Sequence, residues 1–207
     1  MNKMGWAVAA IVIGVVGAAG WQDASVKIGV VDITKVVEQS EFGKANQTAF
    51  ASMKTAREGV LEFIDQYRVL TTEQATEIKD LSIKPNVTAD EKAKLERLKA
   101  EVMAAYKKNQ ELSIKTNLTP EDRTLIEEYS RRANNMEMQA GRWLRDFTNE
   151  LQAWADKQKL ASLDRARLSV QEVAKAGGFT VIFEVGVAPY GANDLTEGAL
   201  KAMNAKK

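Results

Sequence analysis

The sequence predicts an α+β fold, mainly α, in which a small β-strand body carries a long antiparallel helical hairpin. One observation is that strand-forming stretches lie near the two ends, at residues 26–32 and 179–185. Another is that residues 44–176 are rich in the strong helix formers Ala, Glu, Lys, Gln and Arg. If the terminal strands pair in one sheet, this helical part must leave the body and return to it.

The composition removes most classes of catalytic site. The chain has 29 Lys and Arg against 28 Asp and Glu, and its net charge of +1 does not favour nucleic acid as a partner. It contains no histidine and no cysteine, which excludes a His base, a Cys nucleophile, the usual zinc ligands and disulfides. Without an acid–base pair, phosphate loop or metal cluster, the sequence predicts neither an enzyme nor a cofactor.

The N-terminus predicts export from the cytoplasm. Lys3 precedes an uncharged apolar stretch at residues 4–20, which ends in the small residues Gly17 to Gly20. This pattern is typical of a signal peptide cleaved after Ala19 or Gly20. The alternative is an uncleaved anchor, because the stretch lies at the lower edge of the roughly 17–25 residues that span a bilayer. Residues 1–20 are therefore a signal peptide or a membrane anchor, and either way we expect the rest of the chain to lie outside the cytoplasm.

The first part of the body is predicted at residues 26–43. VKIGVVD at 26–32 is β-branched and apolar, so it predicts a strand, and residues 33–40 predict a short helix. Gly43 marks the joint to the helical part.

The second part of the body is predicted at residues 177–207. Gly177 and Gly178 should end the preceding helix, and FTVIFEV at 179–185 predicts a strand. VAPY at 187–190 is a candidate third strand, kept short by its proline. Thr196 should cap a last helix over 197–204, with Leu200 and Met203 on one face.

Three helices are predicted between the two parts of the body, at residues 44–80, 89–112 and 120–176. Their apolar residues recur at three- and four-residue spacing, which predicts coiled-coil packing along helix seams. The seam of the first helix is weaker, because Arg57 and Thr71 interrupt it. We interpret Trp143 and Trp154 as seam residues and not as a ligand site. The seam of the third helix comprises Ile126, Tyr129, Ala133, Met136, Ala140, Trp143 and Phe147.

Two nearly identical octapeptides separate these helices, LSIKPNVT from Leu81 and LSIKTNLT from Leu112. Thr88 and Thr119 each stand where an N-cap belongs, with Glu91 or Asp122 three residues later as in a capping box. The Asn-x-Thr triplets match the glycosylation pattern, but a loop asparagine before a capping threonine is the simpler interpretation. The breaks should therefore lie near 81–88 and 113–119.

The helix lengths predict the path of the chain. The first two helices comprise 37 and 24 residues and the third comprises 57, so the outward and return paths match only if the second break is the turn. We therefore predict a sideways step at residues 81–87 and the tip of the hairpin at residues 113–118. This assigns different roles to two nearly identical sequences.

The terminal blocks carry a resemblance to a known family. KIGVVDITKVVEQSEFGKA at 27–45 and GGFTVIFEVGVAPYGANDLTEGALKAMN at 177–204 resemble the Skp/OmpH family of periplasmic chaperones. The matching features include Tyr190 and the Asp194-Leu195-Thr196 triplet before the last helix. The resemblance covers the layout of the whole chain, and it is specific in these two blocks.

The resemblance implies a homotrimer whose helical arms enclose a cavity for unfolded outer-membrane proteins, held without ATP. It also implies that apolar residues of the terminal blocks form the core of the body or the contact between subunits. Discrete client-binding residues do not transfer, because client binding in the family is diffuse. The expected body residues are Ile28, Val30, Phe179, Val181, Phe183, Tyr190 and Leu200.

Two departures from the family pattern modify the functional hypothesis. Residues 44–175 hold 23 basic and 21 acidic residues, whereas arms in the family are strongly basic, so electrostatic capture of clients should be weak. The helical part is also longer than is usual in the family and is broken twice. We predict a periplasmic holdase for unfolded outer-membrane or exported proteins. The alternative is a membrane-anchored coiled-coil spacer of the cell envelope.

Overall fold

A computed structural model describes residues 26–206, and the predicted signal peptide or anchor lies outside them. The described residues divide into a terminal unit of residues 26–36 and 166–206 and a helical unit of residues 37–165. The structure is mainly helical with two short strands, as the sequence predicts. The elements are β1 (Ile28–Val31), α1 (Ile33–Gln39), α2 (Glu41–Tyr67), α3 (Thr72–Ile83), α4 (Ala89–Ser113), α5 (Pro120–Ala176), β2 (Val181–Glu184) and α6 (Thr196–Ala205).

The two strands of the terminal unit pair in parallel, with Ile28 opposite Val181 and Val30 opposite Phe183. The other edge of β1 is occupied by residues 193–195, because Val30 N donates to Asn193 O at 2.8 Å and Leu195 N donates to Val30 O at 2.8 Å. The prediction of a third strand at 187–190 is wrong. The segment beside β1 comes a few residues later, after the proline that lacks a backbone donor.

Side chains at the start of α6 connect it to the start of α1. Thr196 does not cap α6, because the helix begins at Thr196 and the hydroxyl of this residue accepts a hydrogen bond from Asp32 N at 2.9 Å. Asp194 Oδ1 accepts from Thr196 N at 2.8 Å. Asp32 Oδ1 accepts from Lys35 N at 2.8 Å and so caps α1. The predicted cap is therefore replaced by a contact between the two helix starts.

The end of α5 follows the glycine rule used in the prediction. Gly178 has a φ of 67°, which favours glycine because it has no Cβ. Phe179 N donates to Ala174 O at 2.9 Å and Gly178 N donates to Lys175 O at 3.2 Å. These two bonds form a Schellman motif, which directs the chain from α5 into β2.

The first helix predicted for the helical part is two helices in the structure. A single helix over 44–80 is wrong, because α2 ends at Tyr67 and α3 begins at Thr72. Arg68 ends α2 in the left-handed region with a φ of 31°. Thr71 then caps α3, with its hydroxyl accepting from Gln74 N and Gln74 Oε1 accepting from Thr71 N, both at 3.2 Å. The sequence therefore contains a third capping box that the prediction missed.

Contacts along the helices show that the chain reverses three times within the helical unit. Helix α3 runs antiparallel to α4, because Lys84 pairs with Glu91 and Lys94 pairs with Glu77 at 2.9 Å. It runs parallel to α5, because Arg132 donates to Val69 O and Lys79 lies over the Trp143 ring. The predicted sideways step at 81–87 is therefore wrong, and both octapeptides connect helices that run in opposite directions.

Helix α2 runs antiparallel to α5. Asn46 Nδ2 donates to Ser162 Oγ at 3.4 Å, and the Phe50 and Trp154 ring centroids are 6.1 Å apart. Further along, Arg57 Nη2 lies 3.0 Å from Glu150 Oε2. Along these contacts the residue numbers rise in α2 and fall in α5, so the two helices run in opposite directions.

The core of the helical unit lies where all four helices meet, and it uses the predicted seam positions. Met136 is 1% exposed, and Trp143 and Phe147 are also buried, so the interpretation of Trp143 as a seam residue is confirmed. Tyr67 packs edge-on against Tyr106, with 5.3 Å between ring centroids. The buried cluster comprises Val60, Ile64, Val69, Leu70, Ala75, Ile78, Leu98, Val102, Leu112, Tyr129, Met136, Trp143 and Phe147.

Candidate functional site

The residues predicted for the body do not all lie in the core of one chain. Val30 is buried at 6% exposure, and Phe179 and Leu200 are half-buried. Ile28, Val181 and Phe183 are each more than a third exposed, and Tyr190 is 93% exposed. These last four residues are therefore not in the core of a single chain, and their expected place in the body core or at the contact between subunits stays a prediction.

Strand geometry and the residues beside the strands explain this division. Side chains alternate between the faces of a sheet, so Ile28 and Val30 share one face with Val181 and Phe183. Gly29 and Val31 point to the opposite face, where Val31 is buried and a Cβ on Gly29 would overlap the Leu195 side chain. One face of the sheet is thus packed. On the other, which we call the open face, Val30 is buried beside Gly191, whereas Ile28, Val181 and Phe183 are exposed.

The open face borders a cavity of about 600 Å³. Val26, Ile28, Phe183 and Tyr190 contribute its apolar lining, and Asn193 contributes a polar group. In the described part of the chain, β2 has β1 as its one strand partner, so its outer edge is unpaired. An apolar face beside an unpaired strand edge is a surface on which another strand or chain can pack.

A second surface lies in the helical unit, along the seam between α2 and α5. Its first depression, of about 300 Å³, has Phe50 and Trp154 as its aromatic residues. Gly43 and Ala155 are small, which leaves room between the helices. Three amide side chains also line the depression, those of Asn46, Gln47 and Gln158.

A second depression of about 310 Å³ follows along the same seam and shares Phe50 with the first. Leu61, Leu144, Phe147 and Leu151 contribute its apolar lining. The lining residues of both depressions recur at three- and four-residue spacing on α2 and α5, so the two lie end to end. We call these two depressions together the seam groove.

The charges along the seam groove are largely paired. Arg57 pairs with Glu150, and its guanidinium lies 5.5 Å from the centre of the Phe147 ring. Lys54 pairs with Glu58 at 3.6 Å. The groove therefore combines apolar walls and amide groups with little net charge.

Gly43, which lines the first depression, also forms part of the junction between α1 and α2. A Cβ at this position would overlap the carbonyl oxygen of Val37, so α2 can start here only with glycine. Ser40 caps α2 by accepting a hydrogen bond from Gly43 N at 2.9 Å. The predicted joint at Gly43 therefore lies three residues earlier, at Ser40.

The sequence analysis missed the seam groove, although a signal was present. Between Gly43 and Val60, the α2 positions that face α5 carry Asn46, Phe50 and Arg57 in place of aliphatic residues. This stretch is the weak seam recognised in the sequence. Weak periodicity there corresponds to two helices that touch without a closed core between them.

The two octapeptides form connectors with the same hydrogen bonds. Glu91 N donates to Thr88 Oγ1 at 3.2 Å, and Thr88 N donates to Glu91 Oε2 at 2.9 Å. Lys84 Nζ also donates to the Glu91 carboxylate. This lysine bond, followed by the Thr88 backbone N–H bond, holds the pKa of Glu91 below its ordinary value of 4.5.

The second connector repeats this arrangement with a shorter acid. Asp122 N donates to Thr119 Oγ1 at 3.2 Å, and Thr119 N donates to Asp122 Oδ2 at 3.0 Å. The Lys115 ammonium donates to the same carboxylate and is the largest cause of its lowered pKa. The lysine of each LSIK therefore has a structural role, because its ammonium joins the end of one helix to the start of the next.

Residues 26–206 contain no group of three or more carboxylates placed to hold a metal ion. Over the same range, no helix has the length and apolar character needed to cross a membrane. The two surfaces described above expose apolar side chains, which makes them candidates for binding other polypeptides.

Comparison with known proteins identifies a family. A family model described as "Outer membrane protein (OmpH-like)" matches residues 27–203, which include elements of both units. No curated protein and no solved structure shows a significant match to the chain.

Proposed function

Since the chain belongs to the OmpH-like family, we propose that it is an ATP-independent holdase of the periplasm. The family is periplasmic, is known for chaperone function and binds unfolded outer-membrane proteins. The observation that carries the proposal is the family match over residues 27–203. The expected clients are unfolded outer-membrane or exported proteins.

The open face of the β1–β2 sheet supports a homotrimer. A two-stranded sheet is marginal by itself, and exposed Ile28, Val181 and Phe183 lie beside the unpaired edge of β2. Association of three copies would remove these side chains and edges from water. Tyr190 and the neighbouring cavity would then lie at or near the contact between subunits.

The charge balance of the helical part predicts how clients are held. With 23 basic and 21 acidic residues between 44 and 175, long-range attraction contributes little. Client capture should therefore depend on apolar contacts and change little between low and high salt. Members with strongly basic arms should lose more affinity as salt rises.

The test is suppression of aggregation by the purified, exported chain. An unfolded β-barrel protein is diluted from urea into buffer without nucleotide, and light scattering is followed with increasing amounts of the chain. We expect scattering to fall to a low plateau near stoichiometric amounts, and an equal mass of an unrelated soluble protein serves as control. Unchanged scattering at excess chain would overturn the holdase proposal.

A further inference from the structure

We propose that the seam groove binds one extended, uncharged segment of the unfolded client, with apolar side chains at alternating positions. This inference rests on the proposed holdase function and specifies the part of the client that one chain recognises. All residues that line the groove belong to one chain and lie within residues 37–165.

The apolar lining of the groove supplies the affinity. Phe50 is shared by both depressions, Trp154 lies in the first, and Leu144 and Leu151 lie in the second. Leu144 is 56% exposed, so a client side chain that covers it removes apolar surface from water on both partners. Aromatic rings add favourable contacts with aromatic client residues.

The charge pattern selects uncharged segments. Arg57 and Lys54 are neutralised by Glu150 and Glu58, and the other two charged lining residues, Glu38 and Lys159, have opposite signs. A charged client side chain would lose hydration in the groove without gaining a net opposite charge. The electrostatic complement of this groove is therefore a segment without charge.

The amide side chains supply hydrogen-bonding groups for a peptide main chain, although Asn46 and Gln152 already donate to Ser162 and Asp156. Asn46, Gln47 and Gln158 line the first depression, and Gln152 lines the second. A side-chain amide both donates and accepts, as does each peptide unit of an unfolded segment. Apolar walls alone would leave the polar groups of such a main chain unpaired.

The spacing of the depressions matches an extended chain. On α5 the first depression includes Gln158 and the second includes Thr148, which are ten residues or about 15 Å apart at the helical rise. Residues i and i+4 of a strand lie about 13.5 Å apart on one face. The residue between them, i+2, would then lie over Phe50. Alternating apolar residues are also the pattern of membrane-spanning β-strands.

A fluorescently labelled peptide tests this geometry. It has about nine residues, the length of a membrane-spanning strand, carries no charge and has apolar residues at alternating positions. Anisotropy is measured with the full exported chain. We expect at least tenfold weaker binding when Lys replaces the central apolar residue, and also when the same apolar residues are made consecutive.

Variants locate the site. Phe50→Ala and Trp154→Ala should each weaken binding of the uncharged peptide at least tenfold. Leu160→Ala, which removes an exposed apolar side chain of α5 outside the groove, is the matched control and should have no effect. The double change Gln47→Glu and Gln158→Glu keeps the apolar walls intact. This double change should weaken binding of the uncharged peptide and strengthen binding of the peptide with the central Lys.

The outcomes separate this inference from the proposed function. If the groove variants bind the peptide like the unchanged chain while the chain still suppresses aggregation, the groove inference is overturned and the holdase function stands. The inference is also overturned if the double Gln→Glu variant still prefers the uncharged peptide over the peptide with the central Lys to the same extent. Circular dichroism must show that the helical content of this variant is intact. If the unchanged chain does not suppress aggregation, the proposed function itself fails.

Discussion

Lys84 and Lys115 act at the scale of single residues, each joining the end of one helix to the first turn of the next. Each ammonium binds the same carboxylate that completes the capping box of the following helix. Thr88 and Thr119 supply the reciprocal hydroxyl. The repeated LSIK therefore has a local physical role, because its lysine and the capping acid lie seven residues apart across the turn.

Replacing Thr88 with alanine should destabilise the helical unit by about 1 kcal/mol, because the Glu91 amide loses its acceptor. The measurement is the urea midpoint at fixed chain concentration. Thr124→Ala is the control, since this exposed hydroxyl donates to Pro120 O within α5 and caps no helix. Equal shifts for the two changes would contradict the role assigned to Thr88.

Acid should weaken both connectors. The folded-state pKa values of Glu91 and Asp122 lie below their ordinary values of 4.5 and 3.8. Their contribution to stability is therefore complete above these ordinary values and is lost as pH falls through the lowered ones. The measurement is the difference in urea midpoint between neutral pH and about pH 3, a pH below both ordinary carboxylate values.

The lysines provide the control for this acid effect. Lys84→Gln combined with Lys115→Gln should reduce the pH dependence, because it removes the largest cause of each lowered pKa. Lys92→Gln, on the exposed surface of α4, should leave the pH dependence unchanged. This assignment would be refuted if the urea midpoint of the double variant fell between neutral pH and acid by as much as that of the original chain.

At the scale of elements, the short turn after α2 decides how the helical unit is built. Arg68 adopts a left-handed conformation that non-glycine residues rarely take, and four residues separate the two helices. The Thr71–Gln74 capping box is visible in the sequence, but Arg68 gives no glycine or proline signal. The reversal at this point brings α3 back along α2 and so creates the four-helix core.

Two methionines of α5 test which face of that helix is buried. Met136 is 1% exposed and Met138 is 58% exposed. Met136→Ala should destabilise the chain by about 2–5 kcal/mol because it leaves a cavity, and Met138→Ala should change stability by less than about 0.5 kcal/mol. Free energies of unfolding from urea titration provide the comparison, and similar losses for the two variants would contradict the assigned face.

At the scale of the whole molecule, the open sheet face of the terminal unit connects fold and assembly. Phe183 and Val181 lie on this face although both are strongly apolar. A monomer would leave them in water. The homotrimer proposed above explains why the sequence keeps apolar residues at these positions.

A single charge on this face should dissociate the assembly. We expect the unchanged chain to have a mass of three chains by sedimentation equilibrium, and Phe183→Asp to shift it toward one chain, because a buried unpaired charge is unfavourable. Leu160→Asp is the control, since Leu160 is an exposed residue of α5 in the helical unit. A monomeric mass for the unchanged chain at all concentrations would refute the trimer.

The sequence by itself determined the elements whose signals are local. The strands at both ends, the glycine stop after α5, the capped starts of α4 and α5, and the seam positions of α5 all depend on neighbouring residues, so periodicity and capping reveal them. The family resemblance was also readable, since the match spans residues 27–203.

The tertiary structure decided what depends on residues far apart in the chain. The direction of α3 depends on the backbone at Arg68 and on contacts of residues near Val69 and Lys79 with α5, which no local pattern encodes. The role of Thr196 changed because Asp32, distant in sequence, offers its N–H. The seam groove exists because α2 and α5 meet along a stretch of small, polar and aromatic side chains, which leave a space that neither helix specifies alone.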